Sequence, residues 1–414
     1  MNKKHLLDTR TSITLFVYIW ILYIIVYVTK NCFSGAMASI VNEGIMTKSQ
    51  TGLITAMFYV PYGIFQTFCG NLSDRVRPDR LMLMGLFGTA ITSLIIYIFP
   101  NYYTILIVWT LTGFLQFGIW PALFKIASSQ LAPEHRARGV YVLSITPTIS
   151  IALAFITPLF MKKWQDMFLV SSILMLLFAI GLMIIYPHAE RKMVLYEDCD
   201  KATPAPSPAS DISSTEIFKK CGFYILLPAL VLRAILEIAI KSFSATLLME
   251  SYSSITPAIG NILNVVIILS GLIGMFSVKF IYKKFNYDDI KSMCATFVAA
   301  IPFMLLTLLV GKISAVLIVI FLSVTIALLS AGGLIVSYYS VKFARFGKNG
   351  ELASITNGGA AFGIVIQSYG LSVIADVFGW ISVLWIMIAL VAISALLTFL
   401  IIPKWKKFVR EYDL

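Results

Sequence analysis

Three ionisable residues stand four apart in an otherwise apolar run, LVLRAILEIAIKSFSATLL: Arg233, Glu237 and Lys241. On a helix that spacing puts all three on one face, so Glu237 can pair with either neighbour. Two further cations, Lys30 and Lys125, also lie inside apolar runs. An ionisable group at bilayer depth costs at least about 2.5–3.5 kcal/mol and persists where it has a partner or lines a cavity. Four cations against one carboxylate leave positive charge over. An anion bound from solution would supply the balance, and Arg233 could grip a carboxylate or phosphate through two parallel hydrogen bonds. The plainer alternatives are a salt-bridge ladder with no ligand for the triad, and a surface-seeking side chain for Lys125.

The elements that must position these charges follow from composition. The chain has 414 residues, of which 59% are apolar and 13% charged, with a mean hydropathy of +0.89. A soluble domain carries about 25% charged residues. Apolar runs long enough to cross a hydrocarbon core of about 30 Å recur along most of the length. Twelve spans are predicted near 13–41, 50–72, 81–99, 103–131, 139–160, 165–186, 223–248, 256–280, 289–310, 313–341, 351–375 and 380–402. The first is read as a retained span, being too long for a signal peptide and lacking a small-residue cleavage site. The stretch between the sixth and seventh spans is polar and rich in Pro, Ser and Ala, so it reads as a linker. The expected organisation is a six-helix bundle over 1–187, a cytoplasmic linker over 188–222 and a second six-helix bundle over 223–414.

Charge sets the expected orientation. With both termini placed in the cytoplasm, and Lys279 and Lys291 at the cytoplasmic ends of their spans counted there, 24 of the 32 Lys and Arg fall in cytoplasmic segments, four outside (Lys48, Lys162, Lys163, Lys312) and four deeper within spans (Lys30, Lys125, Arg233, Lys241). That asymmetry is the positive-inside pattern of a multi-pass protein of a cell membrane, here expected to be a bacterial plasma membrane. It also accounts for the net charge of +12 through anionic lipid headgroups, with no nucleic-acid partner. The two bundles echo each other: Trp164 and Trp380 both open a span after a short outer loop, where indoles anchor well. Internal repeats of six helices are the architecture of carriers that rock one half against the other.

The loop GNLSDRVRPDRL joins the second and third spans and places Gly70, Asp74 and Arg75 in the spacing Gly-x-x-x-Asp-Arg. It resembles the conserved loop of the major facilitator superfamily. The resemblance implies an all-α membrane protein, twelve transmembrane helices in two pseudo-symmetric six-helix halves, and a gating role for Gly70, Asp74 and Arg75 at the cytoplasmic side. There a carboxylate sits well near a helix N-terminus.

A closer resemblance rests on YGIFQTFCGNLSDRVRP, GFLQFGIWPALFK and PEHRARGVYVLS. Tyr62 and Gly63, the Ser73-Asp74-Arg75 triplet, Gln116, Trp120-Pro121 and the basic Lys125 stand in the order found in the organophosphate:phosphate antiporter branch. Those relatives grip phosphate with one arginine in the first helix and one in the seventh. Here Thr29 precedes Lys30-Asn31, a one-residue gap would put Lys30 at the anionic position, and the seventh-helix arginine aligns near Glu237, one turn after Arg233. Gln66 stands where the family often has a lysine, and Pro147 or Thr148 where it has a histidine.

The expected substrate site therefore comprises Lys30, Arg233, Glu237, Lys241, Tyr27, Tyr62, Lys125 and Asn357, with a small anion bound between the first and seventh helices. The leading reading is a secondary active transporter exchanging an organophosphate, such as a sugar phosphate or glycerol phosphate, for phosphate by alternating access. The alternatives are a proton-coupled symporter of organic or sugar acids, in which Glu237 would carry the proton, and a transporter-like membrane sensor. A monomer is expected. No enzyme is expected, since His5, His135 and His188 all fall in cytoplasmic segments and leave no base in the spans. No cofactor or metal is expected either: the five cysteines are scattered, with no C-x-x-C pair.

Overall fold

The computed structural model describes residues 3–197, 213–311, 313–346 and 348–412. The elements in chain order are β1 (Lys3–Leu7), α1 (Thr9–Asn42), α2 (Lys48–Arg75), α3 (Pro78–Ile98), α4 (Tyr102–Gln116), α5 (Ile119–Lys125), α6 (Pro133–Ile156) and α7 (Asp166–Glu190). They continue with β2 (Met193–Glu197), α8 (Ser214–Cys221), α9 (Phe223–Ser251), α10 (Pro257–Lys284), α11 (Asp289–Val310), α12 (Ala315–Lys342), α13 (Asn349–Ile366) and α14 (Ser372–Tyr412). Among the described residues, nine helical segments are long and apolar enough to cross a membrane. One of these, Ile355–Tyr412, is divided at Gly379, whose φ of 74° breaks the helix. That left-handed conformation suits a residue without Cβ. With α2 and α6 the spans number twelve.

Contacts divide the chain into two compact units, 1–46 with 53–201, and 47–52 with 202–414. In the first unit α1 packs on α6 and α7, and α3 on α4 and α7. In the second unit α9 packs on α13 and α14, and α11 on α12 and α14. Counted by span, the same partners meet in each: first with fifth, third with fourth and third with sixth. The repeat extends to close packing. A Cβ on Gly113 would meet the Phe58 carbonyl oxygen at 2.0 Å, and one on Gly274 would meet that of Ala327 at 1.8 Å. The second and fourth spans of each unit thus approach over a small residue, as helices without water between them favour. Large apolar side chains such as Ile107, Phe280 and Leu309 are exposed, as a lipid-facing surface requires.

Two spans depart from the continuous helices the sequence predicts. The fourth is broken into α4 and α5 and then runs through a π-helical turn over Ile126–Gln130; the eleventh passes through another over Gln367–Leu371. Such bulges insert one residue into the helical ladder and reorient the turns beyond it. The linker also differs from expectation. Its start folds as β2, antiparallel to β1, with Leu6 opposite Val194 and Leu7 opposite Met193. Leu6 and Leu7 are buried, which explains why a short hairpin-like pair persists at the end of a helical bundle. Its end folds as α8, capped by Ser213, whose side chain accepts from the Glu216 N–H.

Candidate substrate-binding site

The second unit carries the charged triad. Arg233, Glu237 and Lys241 occupy successive turns of α9, which holds its register because Leu, Ile and Ala fill the intervening positions. Glu237 is clamped from both sides. Its Oε1 accepts from Lys241 Nζ at 2.6 Å and from Ser330 Oγ of α12 at 3.1 Å, while Oε2 accepts from Arg233 Nη1. The same Nη1 donates to the Leu329 carbonyl at 3.2 Å. A Cβ on Gly333 would stand 2.8 Å from Arg233 Nη1, so that glycine makes room for the guanidinium against α12. Asn264 of α10 donates to the Lys241 carbonyl at 2.9 Å. Buried Arg233 Nε and Asn264 Oδ1 have no hydrogen-bond partner among the described residues. These are polar atoms left for water or a ligand.

The first unit carries a different arrangement. Lys30, near the middle of α1, is 7% exposed. Its ammonium stands 3.5 Å from the Tyr62 ring centre, 4.8 Å from Tyr59, 5.4 Å from Tyr27 and 5.7 Å from Phe58. Among the described residues no carboxylate pairs with it. A desolvated cation over aromatic faces gains about 2 kcal/mol or more, which offsets much of the cost of burying it. The aromatic group continues through Tyr23, edge-on to Tyr27 at 4.9 Å and stacked on Trp120 at 5.3 Å. Asn31 donates back to the Tyr27 carbonyl at 2.8 Å.

Other residues singled out by sequence are placed less centrally. Lys125 ends α5, half-buried, at the turn into the first π-helical segment. Asn357 is exposed on α13. Gln116 faces the interior of its bundle, donating to Thr89 at 3.1 Å. Gly70, Asp74 and Arg75 fall on the last turns of α2, and their side chains lie outside the described residues. Just beyond them, Arg77 donates to Asp79 at 3.1 Å and to Glu190 at 2.8 Å. These hydrogen bonds, to Asp79 first, hold its pKa well above the ordinary arginine value.

Glu237 is the one carboxylate the sequence reading places within the membrane; a further carboxylate, which that reading did not single out, is buried at a span end. Asp289, at the start of α11, is 1% exposed and accepts from Tyr282 at 2.7 Å and from Lys342 at 2.6 Å. The signal was the apolar context following YDDIK, masked by the loop that precedes it.

The order of spans and their matched packing in two units set the fold, and the family model for the Major Facilitator Superfamily matches residues 19–368. The chain belongs to the Major Facilitator Superfamily. It is a multi-pass membrane transporter of a small solute, not an enzyme. Among relatives in the superfamily, a probable hexose phosphate transport protein of Chlamydia pneumoniae is 22% identical over 425 residues, covering 95% of this chain and 91% of that protein. The membrane sensor protein UhpC of Salmonella typhimurium is 29% identical over 119 residues, and the match covers 28% of this chain and 27% of the sensor's own length. Among solved superfamily structures, a bacterial homolog of the human lysosomal transporter Spinster, inward-facing and unoccupied, superposes with a TM-score of 0.74 at 15% identity. It covers 97% of this chain and 99% of that one. That likeness concerns the fold alone.

Proposed function

We propose that this transporter carries a phosphorylated small metabolite, a sugar phosphate in the first instance, by alternating access. The observation that carries the reading is the charge left over among the buried groups. In the second unit Arg233 and Lys241 against Glu237 leave one positive charge on largely buried side chains, and in the first unit Lys30 is buried without a carboxylate partner among the described residues. A phosphate monoester brings about −1.5 to −2 near neutral pH. Arg233 offers a planar donor set suited to phosphate. The long match to the probable hexose phosphate transport protein supports the same substrate class. Inorganic phosphate is the natural exchange partner, because it meets the same donors. On this reading Gly70, Asp74 and Arg75 at the end of α2 act as the gate, both termini face the cytoplasm and the protein works as a monomer.

A thermal-shift screen of the detergent-solubilised protein tests the substrate class. Glucose 6-phosphate, glycerol phosphate, inorganic phosphate, glucuronate and a dicarboxylate are compared on the wild type and on Arg233→Ala. Ligands that bind the folded state raise its apparent stability by mass action. Stabilisation by the phosphate compounds that disappears in the variant is expected. Stabilisation by the carboxylates alone would replace the reading with an organic-acid transporter.

A further inference from the structure

Glu237 has an unusual position for a group in an anion-binding cluster, since it satisfies the very cations that a substrate anion would seek. Lys241 and Ser330 reach one of its oxygens, at 2.6 and 3.1 Å, and Arg233 reaches the other. Its side chain is only 12% exposed, with those of Arg233 and Lys241 at 15% and 9%. Without a ligand the carboxylate therefore already fills the role of the bound anion.

The empty carrier feels the effect most. A carrier working by alternating access must pass through a state in which its site is closed to water on both sides. Buried cations with no counter-charge make that passage costly. A site made of cations alone can then return only with an anion on board, which makes exchange compulsory. Here the counter-charge is covalently attached. The triad occupies three successive turns of one helix, so the compensation moves with α9 as a rigid body. Lys30 is likewise compensated within its own unit, by the rings of Tyr62, Tyr59, Tyr27 and Phe58. The attached carboxylate cancels one of the two positive charges on α9 and the rings lower the cost of burying Lys30, so less uncompensated charge is buried when the empty site closes.

We propose that Glu237 is an intramolecular counter-anion that stands in for the substrate in the empty carrier, so that this protein performs net transport as well as exchange. When substrate binds, its anionic group displaces the carboxylate from Arg233 or Lys241. Orphaned Arg233 Nε supplies a further donor as the guanidinium turns. After release, Glu237 closes on the cations again and the empty carrier returns. Exchange remains open to the protein but is not compulsory. The proposal rests on the anionic-substrate reading above.

The test uses the full chain in liposomes with labelled glucose 6-phosphate as probe. Uptake is measured into vesicles loaded with the unlabelled ester, which reports exchange, and into empty vesicles, which reports net transport. In the wild type the two rates should lie within about tenfold of each other; in Glu237→Gln the ratio of net uptake to exchange should fall by at least about tenfold. Glu237→Asp should restore part of the ratio. Uptake by the wild type only into loaded vesicles, or an unchanged ratio in Glu237→Gln, would overturn the proposal.

A second measurement needs no substrate. Dyes are attached at exposed Phe160 and Ile313, through Phe160→Cys and Ile313→Cys in a background without other cysteines, and single ligand-free molecules are followed by energy transfer. The wild type should interconvert between two efficiencies, and Glu237→Gln should do so at least about tenfold more slowly. Equal rates would overturn the counter-anion role whatever the substrate. If the probe is carried in neither vesicle experiment while Glu237→Gln still slows interconversion, the sugar-phosphate reading fails and the counter-anion role stands.

Discussion

The ring centre of Tyr62 lies 3.5 Å from the ammonium of Lys30, and three more rings close around the same charge. A buried lysine is thereby kept in place by π-faces contributed from α1 and from the neighbouring α2. The ring, rather than the hydroxyl, supplies this attraction. Tyr62→Leu should destabilise the folded protein by about 1–2 kcal/mol, while Tyr62→Phe should cost less than half as much. Denaturant unfolding in detergent micelles measures both. Equal losses in the two variants would assign the effect to the hydroxyl.

The Asp289 cluster is a stability feature of the second unit. Removing the carboxylate strands Tyr282 and Lys342, while removing Lys342 leaves a buried charge short of its strongest partner. Lys342 is partly exposed, so solvent screens some of the loss. Asp289→Ala should cost about 2 kcal/mol. The double variant Asp289→Ala/Lys342→Ala should cost less than the sum of the single variants, because the two share one interaction. Strict additivity in the unfolding free energies would show that the pair contributes nothing together.

Close packing gives a third expectation. Gly274→Ala forces a methyl group against the Ala327 carbonyl, and should destabilise by about 1–3 kcal/mol as the α10–α12 contact opens. Gly370→Ala is the matched control, since nothing lies within 4 Å of its added Cβ. Melting temperatures of the two variants, measured side by side, should separate clearly.

The local features of fold and site were legible in the sequence. Arg233, Glu237 and Lys241 share one helix face, so spacing alone brings them together, and the structure shows the clamp that spacing allows. The spans were legible because lipid demands long apolar runs. Lys30 was legible as an embedded charge. Its cage was not, because Phe58, Tyr59 and Tyr62 come from another helix and only tertiary packing decides which rings meet it. The π-helical turns at Ile126–Gln130 and Gln367–Leu371 were invisible for a similar reason. They carry no distinctive composition, and arise from how each helix is accommodated by its neighbours. Asp289, the first residue of the ninth predicted span, was not singled out because its burial depends on Tyr282 and Lys342, 7 and 53 positions away.

Uptake of labelled glucose 6-phosphate into liposomes loaded with inorganic phosphate tests the substrate class most directly, with Arg233→Ala measured beside the wild type. Saturable uptake, competed by external phosphate and reduced about a hundredfold or more in the variant, is the expected result, since such a loss matches charge-assisted hydrogen bonds to a phosphoryl group. Uptake of glucuronate with none of glucose 6-phosphate would contradict it, and would make the residual positive charge of the Arg233–Glu237–Lys241 face a carboxylate site instead.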